Sequence, residues 1–229
     1  MEEKIIIEKL KNAIERATKN VIMINSNDEH IPKTTSEGGE LYWYYKVHET
    51  FLKAMIYHEM LNEGIPMADI SMEIPIANKI QQTKSFDFYI YNVISNEKVN
   101  EFFIEVKTFM TYDSERKTPI TEQEERENTI KQIKNKFKKY IEKGEIKSGT
   151  IYYDIDKLYT AVNESKVQAI MIIVDQSHYI KDVNPFEIMI NEIKNLLIKE
   201  DYSNEILFAI ADSSRAEIIS ADEIKGHKT

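Results

Sequence analysis

The chain has no cysteine, one tryptophan, six glycines and five prolines among its 229 residues. Without thiols there is no disulfide framework, no cysteine-ligated zinc and no thiol nucleophile. The sequence contains no Walker-type phosphate loop, no Gly-rich dinucleotide turn and no Gly-x-Ser-x-Gly elbow. The five histidines are scattered and show no zinc spacing. His48 and His58, ten residues apart on one expected helix, lie almost three turns from each other and cannot share an ion. His48 is read as a packing or substrate-adjacent residue. No apolar run approaches the roughly 18 residues of a membrane span. The opening Met1-Glu2-Glu3-Lys4 is unlike the basic start of a secretion signal. A soluble, cytoplasmic protein without a membrane partner is expected.

The length suits one substantial core. We expect a single domain over 1–229, with an N-terminal helix and loop at 1–39, a core at 40–175, and a C-terminal helix, strand and tail at 176–229. The net charge of −9 argues against indiscriminate phosphate binding. It leaves room for a local basic face and for carboxylates that hold a metal.

Residues 2–19 carry Ile6, Leu10, Ala13 and Ala17 at helical spacing. A polar loop over 25–39 leads into a helix from about Glu40 to Glu63, ended by Gly64 and Pro66. Alternation of Ile70, Met72, Ile74 and Ile76 predicts a strand over 68–77. Two further strands follow, joined by a turn near Ser95-Asn96. A helix over 124–143 comes next, then a short strand at Thr150–Tyr153. The apolar run 167–174 predicts a central buried strand. A helix over 185–199, a strand over 206–211 and a loose polar tail from Asp212 complete the chain.

The richest stretch lies between Ser85 and Met110, where S-F-D-F-Y-I-Y-N is followed by N-E-F-F-I-E-V-K-T-F. It reads as two neighbouring strands presenting Asp87, Glu105 and Lys107. Side chains alternate along a strand, so Glu105 and Lys107 share one face while Ile104 and Val106 take the other. Carboxylates held close repel each other unless a cation sits between them, and hard oxygen ligands suit Mg²⁺ or Mn²⁺. Glu-x-Lys recurs elsewhere, at Glu2, Glu115, Glu145, Glu164, Glu192 and Glu223, but in polar helical or loop-like sequence. Glu105 and Lys107 stand apart because an apolar period-2 run surrounds them. A salt bridge across an ordinary sheet is the plain alternative.

At these residues the chain resembles the PD-(D/E)xK nuclease superfamily, whose signature is an acid on one core strand and acid-any-Lys on the next. Phe86 stands where the family's proline would be. The resemblance implies a restriction-endonuclease-like αβββαβ core, an α/β fold with a mixed central sheet flanked by helices. Here it would carry an extra N-terminal helix and a C-terminal helix and strand. It implies that Asp87, Glu105 and the backbone carbonyl of Val106 ligate Mg²⁺ or Mn²⁺, and that Lys107 positions the attacking water. The implied activity is metal-dependent phosphodiester hydrolysis of nucleic acid, DNA foremost, in a restriction or phage-defence setting. A homodimer would supply the two sites that paired cuts in a duplex need. A non-catalytic scaffold on the same fold, binding nucleic acid or protein, is the alternative.

This family often draws one more acid from the first core helix, here the Glu40–Glu63 helix. Glu49 shares the face of Tyr45, Leu52 and Ile56, and fits better than Glu40 or Glu59. On the 124–143 helix, Gln132 and Tyr140 look like a Gln–Tyr pair that many members carry, and Gln132 would sit near the active site. Lys131, Lys134 and Lys138 line a face of that helix and form either a solvated surface or a phosphate-tracking patch. The cluster Tyr42-Trp43-Tyr44-Tyr45 is read as core packing rather than a base-stacking platform.

Overall fold

The computed structural model describes residues 2–26, 39–75, 85–95, 98–109, 122–137, 149–165, 168–175, 183–200, 202, 206–212 and 214–227. Helix α1 spans Glu3–Ser26 and buries Ile6, Leu10, Ala13, Ile14, Ala17 and Val21, the three-to-four spacing of one helical face. Helix α2, Gly39–Asn62, lies against it through Leu52, Ile56 and Met60. Arg16 ties the pair by bonding Glu59 and Glu63. The stop signal after α2 works as expected. Gly64 adopts φ +74°, its N–H reaches the Leu61 carbonyl at 2.9 Å, and the Ile65 N–H reaches the Met60 carbonyl at 3.0 Å. This is a Schellman closure, which favours glycine at the left-handed position.

A short 3₁₀ turn, Met67–Asp69, leads into strand β1, Ile70–Pro75. Strands β2 (Ser85–Ser95) and β3 (Lys98–Phe109) follow, then helices α3 (Glu122–Phe137) and α4 (Ile151–Ser165). Strand β4 (Gln168–Asp175), helix α5 (Pro185–Glu200), strands β5 (Ile206–Ala211) and β6 (Ala216–Ser220) and helix α6 (Ala221–Gly226) complete the order. The six strands form one sheet in sequence order. β1, β2 and β3 are antiparallel, β3, β4 and β5 are parallel, and β6 returns antiparallel to β5. Helices α1 and α2 cover one face, against Ile104, Val106, Ile170 and Ile172. Helices α3 to α6 cover the other, against Met171, Ile173, Phe208 and Ile210. The result is a mixed α/β fold of three layers. β4 is buried on both faces from Ala169 to Asp175, as its uninterrupted apolar run predicts.

Two expectations are corrected. Thr150–Tyr153 does not form a strand; it starts helix α4. Ile151, Tyr152, Ile155, Leu158, Tyr159 and Val162 are buried at helical spacing, and the Thr150 hydroxyl accepts the Tyr153 N–H at 3.3 Å. The β-branched and aromatic residues at its start mimic a strand, but the full length of the stripe decides for a helix. The polar tail is not loose either. Asp212 turns the chain by accepting the Ser214 and Arg215 N–H groups at 2.8 and 3.1 Å, and a Ser220–Glu223 capping box starts α6. Among the described residues three apolar anchors, Ala216, Ala221 and Ile224, are buried there, too few for a periodic signal. Of the helix expected over 124–143, residues beyond Phe137, with Lys138 and Tyr140, lie outside the described residues.

Ile172 lies at the centre of β4 and is wholly buried. Ile172→Ala is expected to lower the unfolding free energy by about 2–5 kcal/mol, by lost burial and the cavity left behind. Equilibrium urea denaturation measures it, and a loss within experimental error would show that β4 is not the core strand.

Candidate active site at the fork between two strands

The antiparallel pairing of β2 with β3 runs to Phe88 opposite Ile104. From there toward Ser85, β2 continues beside β1, with Ile74 opposite Phe86. β3 continues beside β4, with Glu105 opposite Met171 and Lys107 opposite Ile173. The described pairing thus opens into a fork at Asp87. The Asp87 carboxylate fills it, its Oδ2 accepting the Val106 N–H at 2.7 Å. A side chain thereby satisfies a buried backbone donor that the ladder leaves without a β2 carbonyl.

Alternation on β3 holds as expected. Ile104 and Val106 enter the core beneath α1 and α2, while Glu105 and Lys107 face α4. Glu105 is 7 % exposed, and its Oε1 lies 2.7 Å from the Lys157 ammonium. Lys157, also buried, donates to the Ser85 carbonyl at 3.1 Å and stands 5.2 Å above the centre of the Phe86 ring. That ring stacks on Phe103 at 4.5 Å. The Lys107 ammonium lies 3.0 Å from Oδ2 of the buried Asp154.

From the other face, Lys53 on α2 reaches Asp87 Oδ1 at 2.6 Å and Glu49 Oε1 at 2.9 Å. The site is a chain of alternating charge, four carboxylates interleaved with three ammonium groups, fed by helices on opposite sides of the sheet. Of the three acids weighed on α2, Glu49 joins it. Glu59 instead bonds Arg16 and Asn62, and the Glu40 side chain lies outside the described residues, as does that of His48.

Burial drives the electrostatics. Loss of water, then the nearby Asp87 charge, push the Glu105 carboxyl up to about 8, against the pull of Lys157. Asp154 is likewise raised by burial, with Lys107 and Lys157 opposing. For Lys107 burial disfavours the charge, but Asp154, Glu49 and Glu105 outweigh it and hold its pKa above the ordinary value. Lys53 is raised in the same way, desolvation being overcome by Asp87 and Glu49.

Glu105 Oε2 is buried and has no hydrogen-bond partner among the described residues. Glu49 and Asp87 are drawn together by an ammonium rather than left apart. Both features fit a hard divalent cation, and the donors are all oxygen, as Mg²⁺ and Mn²⁺ prefer. Among the described residues no three His, Asp or Glu side chains converge closely enough to enclose an ion together.

Gln132 lies on α3, which packs chiefly on α5 and α4. Lys131 and Lys134 are exposed on the same helix. Its first half is acidic and its last turn holds Lys134 and Lys136, the distribution that complements a helix dipole. Lys53, Asp154 and Lys157 escaped the sequence reading. Lys53 is one helical turn after Glu49 and was legible from that spacing. Asp154 and Lys157 share one face of α4 and were hidden because the start of that helix resembles a strand.

No known family profile matches the chain, and no curated protein matches it in sequence. A solved structure that it does match is that of Pyrococcus furiosus SfsA in complex with Ca²⁺. The identity is 13 %, the match covers 75 % of this chain and 62 % of that one, and the TM-score is 0.27. A likeness of that size fixes neither family nor activity.

Unfolded Glu105 releases its proton near 4.5, whereas the folded site holds it to about 8. Between these values the folded state binds more protons, so stability falls as pH rises. In EDTA, the stability of wild type relative to Glu105→Gln should therefore drop from about pH 5 to about pH 8 and then level off. Thermal melts of both proteins across that range test it, and a flat difference would mean that Glu105 is not held protonated.

Proposed function

We propose that the chain is a metal-dependent nuclease of the PD-(D/E)xK kind. The observation that supports this is the fork, where Asp87 on β2 accepts the Val106 N–H between Glu105 and Lys107 of β3, close enough for its charge to act on the buried Glu105. Asp87, Glu105 and the Val106 carbonyl would hold Mg²⁺ or Mn²⁺, with Glu49 adjacent through Lys53. When bound, the ion lowers the pKa of a water and neutralises charge developing on the phosphate. The Val106 N–H fixes the orientation of Asp87. Lys157 fixes that of Glu105 by holding one oxygen and leaving the other open. Lys107, kept charged by its acidic neighbours, positions the attacking water and the scissile phosphate. Asp154 holds the ammonium in place until substrate arrives. DNA is the favoured polymer and a homodimer the favoured assembly, with Lys131 and Lys134 available to phosphates.

A second reading has an observation of its own. Asp87, Glu105 and Asp154 each already own an ammonium partner, which suits a non-catalytic scaffold on this fold. The two readings part on metal, because an ion that binds only the folded state raises its melting temperature.

Plasmid, single-stranded DNA and RNA should be incubated with Mg²⁺ or Mn²⁺ and wild type or Lys107→Ala. Cleavage by wild type and a loss of about 10²–10³-fold in the variant are expected, the scale for removing one group that stabilises developing charge. Equal cleavage by both would remove Lys107 from the mechanism. No cleavage, together with no metal-dependent rise in melting temperature, would favour the scaffold.

A further inference from the structure

The Lys53 ammonium occupies an unusual place. It bridges Asp87 Oδ1 at 2.6 Å and Glu49 Oε1 at 2.9 Å, two carboxylates from different elements. Among the described residues Asp87 is otherwise held by the Val106 N–H, through its second oxygen. Glu105, the residue preceding Val106, has a buried oxygen with no donor among the described residues. A monovalent cation thus fills one seat between acids, while the neighbouring acid is left incompletely satisfied. An ammonium stays about 2.6–2.9 Å from its acceptors, whereas Mg²⁺ draws oxygens to about 2.0–2.1 Å with twice the charge. Glu49 and Asp87 therefore lie within a small contraction of a divalent seat.

The geometry points to a cation seat between Glu49 and Asp87 in which Lys53 is a built-in competitor of the metal. This rests on the nuclease reading and deepens it. Lys53 keeps the two acids compensated while the protein is without metal. It must leave Asp87 when a divalent ion enters, swinging toward solvent on its flexible stem. It is a positioning residue whose effect is to set the metal threshold. Wild type then binds metal weakly, and removing the ammonium tightens binding even though it also removes two ion pairs. A purely structural lysine would have the opposite effect, since its loss would loosen the site.

The test is a Mn²⁺ titration of the full chain without substrate, followed by electron paramagnetic resonance of free Mn²⁺ and by calorimetry. Wild type is compared with Lys53→Met, Lys53→Arg and Lys53→Met/Asp87→Asn. Lys53→Met should bind Mn²⁺ at least about tenfold tighter than wild type, the scale expected for removing a like charge a few ångströms away. Lys53→Arg should stay at the wild-type level, and the double variant should lose the gain. Lys53→Gln keeps an amide donor for Asp87 and replaces Lys53→Met if that variant does not fold. Wild-type binding with no tightening in Lys53→Met or Lys53→Gln would overturn the competitor role and leave the nuclease reading standing. Failure of all variants to bind Mn²⁺ at millimolar concentration would overturn both. Tightening that survives Asp87→Asn would place the metal elsewhere and overturn the seat.

Discussion

A carboxylate taken out of water must find a cation or keep a proton, and the end of this sheet is built around that constraint. Glu105 is buried by its neighbours on β3, by α4 and by the Phe86 ring, and it stands beside the Asp87 charge. Lys107 and Lys157 each answer one acid and Lys53 answers two, while the acids in turn hold Lys53 and Lys107 in the charged form. Such a chain holds together as a unit, because deleting one member leaves its partner buried and uncompensated. Ordinary stability does not call for this; well-packed apolar residues would serve the fold as well or better. The charges are therefore best understood as equipment carried by the scaffold.

The scaffold holds that equipment firmly. β4, buried on both faces, lies directly beside the β3 residues that carry Glu105 and Lys107. Apolar packing above and below keeps β3 from shifting register, since a slip of one residue would put Glu105 into the α1–α2 core and Val106 into the site. The fork supplies the space. If β2 stayed paired with β3 past Phe88, a backbone carbonyl and not the Asp87 carboxylate would meet the Val106 N–H. A local break in the ladder thus turns a structural strand into one that presents chemistry, as irregularities beside functional sites commonly do.

How much of this could be read beforehand depended on the range of the signal. Alternation over Phe102–Lys107 is local, so the face assignments of Glu105, Lys107, Ile104 and Val106 were visible, and the apolar run of β4 was equally plain. The αβββ order and the stop at Gly64-Ile65-Pro66 were legible for the same reason. Glu49 followed from one helical stripe. What escaped was set by tertiary contact. Thr150-Ile151-Tyr152-Tyr153 has strand-like composition, and only the later Ile155, Leu158 and Val162 disclose the helix that brings Asp154 and Lys157 inward. β6 and α6 rest on three small or single apolar anchors and on turn hydrogen bonds, which leave little trace in periodicity. The fork itself has no sequence signature beyond one acid in an apolar strand.

The cluster's two-sided construction has a consequence for how the molecule comes together. Glu49 and Lys53 arrive on a helix that precedes the sheet, Asp154 and Lys157 on one inserted between its third and fourth strands. Lys157 and its Ser85 partner are 72 residues apart in the chain. Contacts of such separation form late, after loop closure has been overcome, and they open with the first helix to detach. No partly folded intermediate that lacks either layer contains the complete constellation. A chain emerging during synthesis thus carries the buried charge cluster only once both helical layers have docked, so the unfinished protein never exposes it assembled.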